Sequence, residues 1–320
     1  MQTNPRLMRL ISALGPGVLS LICVSMASGS AAEPSRPSGE IAYLATKGDI
    51  YVKQADGAGR RKLLSGSSMS TFNWSPDGAL IAFSTGRWGD SGQLVPSSIG
   101  IARADGTVVR TLPRGALMVA EAPTWSPDGK QLAFTGFNPR ADELGIYVIN
   151  ADGTGLRRLT RHRTLWDEGP DWSPGGDWIA FERYNASGAS TSLDVMAVHP
   201  NGTGLHRIAR VITGPQCSCP DWSPDGSKIT YQASPSVATA RFPEIFVMNA
   251  DGTGQTQLTF TGKRVRDENP DWSPDGNWIA FYSERRGNAE IYVIGADGKH
   301  LKRITHEARY VMYPRWRPSG

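Results

Sequence analysis

From residue 41 onward, short apolar runs alternate with clusters of turn-forming residues. One set of runs reads Ile41-Ala-Tyr43, Ile81-Ala-Phe83, Leu132-Ala-Phe134, Ile179-Ala-Phe181, Ile229-Thr-Tyr231 and Ile279-Ala-Phe281. Each is followed, after a loop, by a second run: Ile50-Tyr-Val52, Ile99-Gly-Ile101, Ile146-Tyr-Val148, Val195-Met-Ala197, Ile245-Phe-Val247 and Ile291-Tyr-Val293. Runs this short, rich in β-branched and aromatic residues, predict strands rather than helices. Six turn pairs close the second runs, at Asp56-Gly57, Asp105-Gly106, Asp152-Gly153, Asn201-Gly202, Asp251-Gly252 and Asp297-Gly298. Such pairs between β-rich runs signal tight hairpins, so a further strand follows each, ending near Leu64, Leu112, Leu159, Ile208, Leu258 and Ile304.

A third pattern precedes the runs. Trp-Ser-Pro-Asp-Gly begins at Trp74, Trp125, Trp222 and Trp272; Trp172 opens a near copy and Trp316 a degenerate one. Proline presets φ for a turn and glycine accepts φ above zero, so each copy turns one strand into the next. The repeat is therefore a four-stranded antiparallel unit. Strand a carries the Trp, the Ser-Pro-Asp-Gly turn leads to b, a variable loop to c, and the Asp-Gly hairpin to d. The tryptophans stand 51, 47, 50, 50 and 44 residues apart, a period that marks four-stranded propeller blades. The chain opens with strands b, c and d and closes with a strand a at Tyr313 to Trp316. The expected fold is an all-β, six-bladed propeller over residues 40–320, its ring closed where the C-terminal strand a pairs with the N-terminal b-c-d strands. Closure leaves no exposed sheet edge at the seam.

Ahead of this, residues 1–32 read as an export signal: Arg6 and Arg9, an apolar stretch from Leu10 to Met26, then Ser30-Ala31-Ala32 before Glu33. Residues 33–39 form a linker. The expectation is a periplasmic or secreted monomer that does not span the membrane once the signal is cleaved. Charge changes little in this picture. With 34 basic and 30 acidic residues the net charge is +4; without the two signal arginines it is 32 against 30, about +2. That balance speaks against nucleic acid as the partner. Cys217 and Cys219 are too close for a loop-closing staple, and a bridge across one residue would be strained.

Trp-Ser-Pro-Asp-Gly-x-x-Ile-Ala-Phe, followed by Ile-Tyr-Val-x-x-Ala-Asp-Gly and a closing Leu-Thr, resembles the TolB-type propeller repeat, also called the PD40 or WD40-like repeat. The resemblance covers nearly all of the chain after the signal. It implies a propeller and a role with partners of the cell envelope. Full-length TolB carries an α/β domain ahead of its propeller, for which no matching positions are present. The resemblance therefore describes a propeller-only member and does not carry over the TolB task.

Strand polarity puts the short a–b and c–d turns on one face and the variable b–c and d–a connections on the other. The turn aspartates, such as Asp77, Asp128, Asp225 and Asp275, are expected to serve turn chemistry. Trp74, Trp125, Trp172, Trp222, Trp272 and Trp316 are expected to pack between blades. Binding residues are sought on the loop face. Aligned on the Trp, Glu121, Glu168 and Glu268 recur four residues before it, near the channel mouth. Asp167 and Asp267 precede two of them, with His162 and Trp166 in one connection and Arg264 and Arg266 in another. Trp88 is a further aromatic candidate in a b–c loop. The expected function is a non-catalytic scaffold that docks an envelope or secreted protein or peptide on this face, without a cofactor. The alternative is a carbohydrate lyase or lactonase with a divalent metal in the channel, drawing on His162 and His306 and the glutamates.

Overall fold

The computed structural model describes residues 36–319, apart from 46–47, 67–68, 87–95, 142, 163, 186–191, 213–218, 236–241, 263 and 308–309. The predicted export signal lies outside the described residues, as do Trp88 and Cys217. Among the described residues there is no helix long and apolar enough to cross a membrane.

Among the described residues, twenty-four strands form six four-stranded antiparallel sheets. Blade I joins the chain ends: β24 (Val311–Trp316), β1 (Glu40–Ala45), β2 (Asp49–Gln54) and β3 (Arg61–Leu64). Blades II to V then follow in chain order. They comprise β4 (Met69–Trp74), β5 (Leu80–Thr85), β6 (Ser98–Arg103) and β7 (Val108–Thr111); β8 (Val119–Trp125), β9 (Gln131–Asn138), β10 (Glu143–Asn150) and β11 (Arg157–Arg158). Next come β12 (Leu165–Trp172), β13 (Ile179–Asn185), β14 (Ser192–Val198) and β15 (His206–Ile212); then β16 (Asp221–Trp222), β17 (Lys228–Ala233), β18 (Glu244–Asn249) and β19 (Thr256–Gln257). Blade VI is β20 (Asp267–Trp272), β21 (Trp278–Ser283), β22 (Glu290–Gly295) and β23 (Lys302–Arg303). The Trp-bearing strands β4, β8, β12, β16, β20 and β24 neighbour one another in a closed ring, so they surround the axis.

Six apolar clusters fill the six blade-to-blade spaces. Trp74 packs on Ala42, Ile50 and Val52 of blade I, Trp125 on Ala82, Ile99 and Ile101 of blade II, and Trp172 on Ala133, Ile146 and Val148 of blade III. Trp222, Trp272 and Trp316 repeat the arrangement onto blades IV, V and VI. Each motif Trp is thus a wedge driven into the preceding blade, and burial of so large a side chain stabilises the interface by roughly 2–3 kcal/mol. The seam has extra ties. Trp316 Nε1 donates to the Ser38 carbonyl at 2.9 Å, Arg317 pairs with Glu40 at 2.7 Å, and its guanidinium lies 5.1 Å from the Trp74 ring centre. The indole N–H groups of the other five motif tryptophans are buried and have no such partner among the described residues.

Strand a is not regular. Ala122, Gly169, Cys219, Asn269 and Tyr313, each three residues before its Trp, have φ between 44° and 60°. All five are followed by proline; the sixth blade has Thr71-Phe72 there and no positive φ. Proline lacks the ladder N–H and disfavours the right-handed helical region for its predecessor, so the pair settles into a bulge. The pairing register shifts at that point, as between Glu168 and Asp171 or between Glu268 and Asp271. In blade V, Cys219 is disulfide-bonded.

Candidate functional site

The bulge decides which side chains share a face. Glu121 pairs with Thr135 and Thr124 with Ala133; Glu168 pairs with Glu182 and Asp171 with Ala180; Glu268 pairs with Tyr282 and Asp271 with Ala280. The partner positions are two apart on strand b and so lie on one face. Positions four before and one before the Trp are therefore brought to the same side, although simple alternation would separate them. The site has two levels, an upper one toward the loop face and a floor toward the turn face.

At the upper level, Glu121, Glu168 and Glu268 lie within β8, β12 and β20 rather than in the connections. Glu121 and Glu268 are buried and Glu168 is half-buried. Tyr282 donates its hydroxyl to Glu268 Oε2, and burial raises the Glu268 carboxyl above its ordinary range. Arg266 Nε stands 4.0 Å from Glu268 Oε1. Asp167 and Asp267, almost fully buried, are engaged internally. Asp167 accepts two bonds from Arg183, at 2.6 and 2.8 Å, whereas Asp267 accepts one from Arg285 at 2.7 Å and keeps a buried Oδ1 without a hydrogen-bond partner among the described residues. Trp166 is half-buried and meets the Tyr184 ring edge-on, with centroids 6.1 Å apart. His162 Nδ1 accepts the backbone N–H groups of Thr164 and Leu165, each at 3.2 Å, which stiffens its own loop. His306 and Arg264 are exposed. The structure thus gathers the carboxylates into the strands and leaves the histidines apart in the connections. Among the described residues no group of three or more His, Cys, Asp or Glu could hold a metal ion. A residue without a place in the aligned pattern is Phe260, 77% exposed on the d–a connection after β19.

The floor was not anticipated from the repeat. A cavity of about 370 Å³ opens between the five Ser-Pro turns and Arg317-Pro318, lined by the motif tryptophans and prolines with Asn73, Thr124, Asp171, Asp221 and Asp271. The last five occupy the position just before the Trp in blades II to VI, and Arg315 occupies it in blade I. Asp171 Oδ2 accepts the Trp222 N–H at 2.9 Å, Asp221 Oδ2 the Trp272 N–H at 2.9 Å, and Asp271 Oδ2 the Trp316 N–H at 2.5 Å. Each carboxylate therefore ties its blade to the next. Thr124 Oγ1 donates to Asp171 at 3.1 Å, and the Arg315 guanidinium stands 3.6 Å from Asp271. Removal from bulk water pushes Asp171 up to about 6 and Asp271 up to about 7, outweighing the N–H bonds and Arg315. Asp221 is raised well above the usual carboxylate range, first by burial and then by the charges of Asp271 and Asp171. The signal for this floor was present in the sequence as Pro-Asp-Trp in three consecutive repeats.

These observations define a closed six-bladed propeller whose axis is lined with carboxylates. The TolB β-propeller domain family (PD40) matches residues 107–231 and 203–320, more than half of the chain, and the chain belongs to that family. Among solved structures it is similar to TolB from Acinetobacter baumannii, with 20% identity and a TM-score of 0.69 over 89% of this chain and 68% of that one. It is also similar to a putative TolB from Agrobacterium tumefaciens, with 17% identity and a TM-score of 0.63 over 84% and 88% of the two chains. A chain of a nidogen/laminin complex shares the fold at 13% identity and a TM-score of 0.67, over 88% of this chain and 98% of that one. At these identities the likeness concerns the fold. No curated protein sequence matches the chain.

Proposed function

We propose that the protein is an exported, TolB-like scaffold of the periplasm or the secreted fraction that docks a protein or peptide on its loop face without catalysing a reaction. The observation that carries this reading is the distribution of regular and irregular chain. The turn face is built from five near-identical Ser-Pro turns, Arg317-Pro318 and six Asp-Gly or Asn-Gly hairpins, while strands b and d end, and strands a and c begin, at the opposite end of the axis. Rigid scaffolds present recognition residues on connecting loops. Phe260, 77% exposed, and the exposed Arg264 lie there in one connection, an apolar and a cationic contact on the same loop. The location rests on the leader-like residues 1–32 and on family membership. The metal-assisted lyase or lactonase reading requires His162 and His306 to converge. His162 Nδ1 is instead committed to its own loop, and His306 is exposed.

The test is site-specific photo-crosslinking in the native envelope, with the crosslinking residue at Phe260 or Arg264 on the loop face and at Asp128 or Asp275 on the turn face. One discrete adduct from the loop-face positions, lost in an Arg264→Glu variant, is the expected result. Equal adducts from both faces, or none from the loop face, would sink the reading.

A further inference from the structure

Three carboxylates face one another at the channel floor with a single guanidinium beside them. Asp221 senses the charges of both Asp171 and Asp271, and Asp271 senses Asp171, so the three act across the axis on one another. From β4 the floor receives the Asn73 amide, from β8 the Thr124 hydroxyl, and from β24 the Arg315 guanidinium. Among the described residues lining the cavity, the three aspartates are the only titratable side chains. Fully ionised, the floor would hold two negative charges beyond what Arg315 balances. Such an excess is relieved by protons or by separation of the strands that carry the charges. The strands in question are the innermost ones of blades IV, V and VI, and their last tie, Trp316 N–H to Asp271, sits on β24. That strand completes blade I only through non-covalent pairing with β1.

We infer that closure of the propeller is proton-linked: Asp171, Asp221 and Asp271 retain protons while the ring is tight, and losing them loosens blades IV to VI and the seam at β24. The sign follows from the direction of the shifts. A carboxyl whose folded value is raised contributes stability that is complete below its unfolded value near 4 and is lost as pH rises through the folded value. With Asp171 at about 6 and Asp271 at about 7, the loss runs from about pH 4 to about pH 7, and the greater part of it falls above pH 5. The inference is independent of which partner docks on the loop face, because the floor opens on the turn face.

The experiment uses the folded full chain. Thermal unfolding is followed at half-unit steps from pH 5 to pH 8 for the wild type and for Asp221→Asn, which keeps an acceptor for the Trp272 N–H. Wild-type Tm is expected to fall by about 5 °C across that range, and the variant to lose at least half of the fall. Burial also raises Glu244 and Glu268, but both proteins share them, so the difference between the two slopes reports the floor. Amide exchange, corrected for intrinsic rates, is expected to quicken about tenfold in residues 40–45 and 311–316 between pH 5 and pH 8. The c–d hairpin of blade III is expected to hold its rate. If Asp221→Asn does not fold, Asp171→Asn takes its place. Equal slopes in wild type and variant, a wild-type Tm that is flat or rises with pH, or equal exchange changes at the seam and in blade III would each overturn the inference.

Discussion

Asp221 and Asp225 stand four residues apart in one copy of the repeat and titrate in opposite directions. Asp221 faces the axis, where burial and two neighbouring carboxylates hold its proton on. Asp225 sits in the exposed a–b turn, accepts from the Ser223 hydroxyl at 2.6 Å and the Ser227 N–H at 3.0 Å, and is lowered to about 2. Asp271 and Asp275 repeat the contrast in blade VI, at about 7 and below the ordinary value. Both kinds of aspartate accept backbone N–H groups. What separates them is water: the turn carboxylate keeps its hydration and adds local bonds, whereas the floor carboxylate gives up hydration for a bond to the next blade. The first organises six residues of one turn, and the second couples residues about fifty apart.

The contrast can be broken most forcefully where a buried carboxylate has a full cationic partner. Arg183→Leu would strand Asp167, which is 1% exposed, and is expected to cost about 4 kcal/mol in urea unfolding. Arg315→Leu removes the cation that stands beside Asp271 on the floor; a loss of about 2–3 kcal/mol is expected, larger at pH 8 than at pH 5. A loss that does not vary with pH would show that Arg315 acts by packing alone. In the exposed turn, Asp225→Ala is expected to cost only about 1 kcal/mol, as for other side chains that bond nearby backbone N–H groups. The pH profile sharpens the same comparison. Turn aspartates contribute stability that is present above about pH 4 and lost as pH falls through about 2, while the floor contributes below about pH 4 and loses it as pH rises through 6 to 7. The denaturant midpoint should therefore peak between roughly pH 4 and pH 5, and a plateau extending to pH 8 would contradict the floor's part in it.

Much of the architecture was legible in the repeat. Strand order, turn positions and the shared blade I follow from Trp-Ser-Pro-Asp-Gly, Ile-Ala-Phe and the Asp-Gly hairpins, and the structure reproduces each of them. The turn aspartates behave as turn chemistry predicts, and the acids opening strand c are spent within their own blades, as with Glu244 on Thr259 and Thr261. The candidate site was less legible. Alignment on the Trp found the columns of Glu121, Glu168 and Glu268, but placed them at the mouth in connections, because the proline two residues before the Trp was not read as a bulge. With that proline counted as a break in alternation, the glutamate and aspartate columns fall on one face of strand a.

What the sequence determined by itself is local: which residues turn, which extend, and how often the unit repeats. These depend on φ preferences and on apolar spacing within a few residues. Only the tertiary structure decided that Asp171, Asp221 and Asp271, spaced by one repeat each, meet around one cavity, with Arg315 beside Asp271. Their proton affinities follow from that meeting, because desolvation and charge repulsion depend on how the ring closes in space.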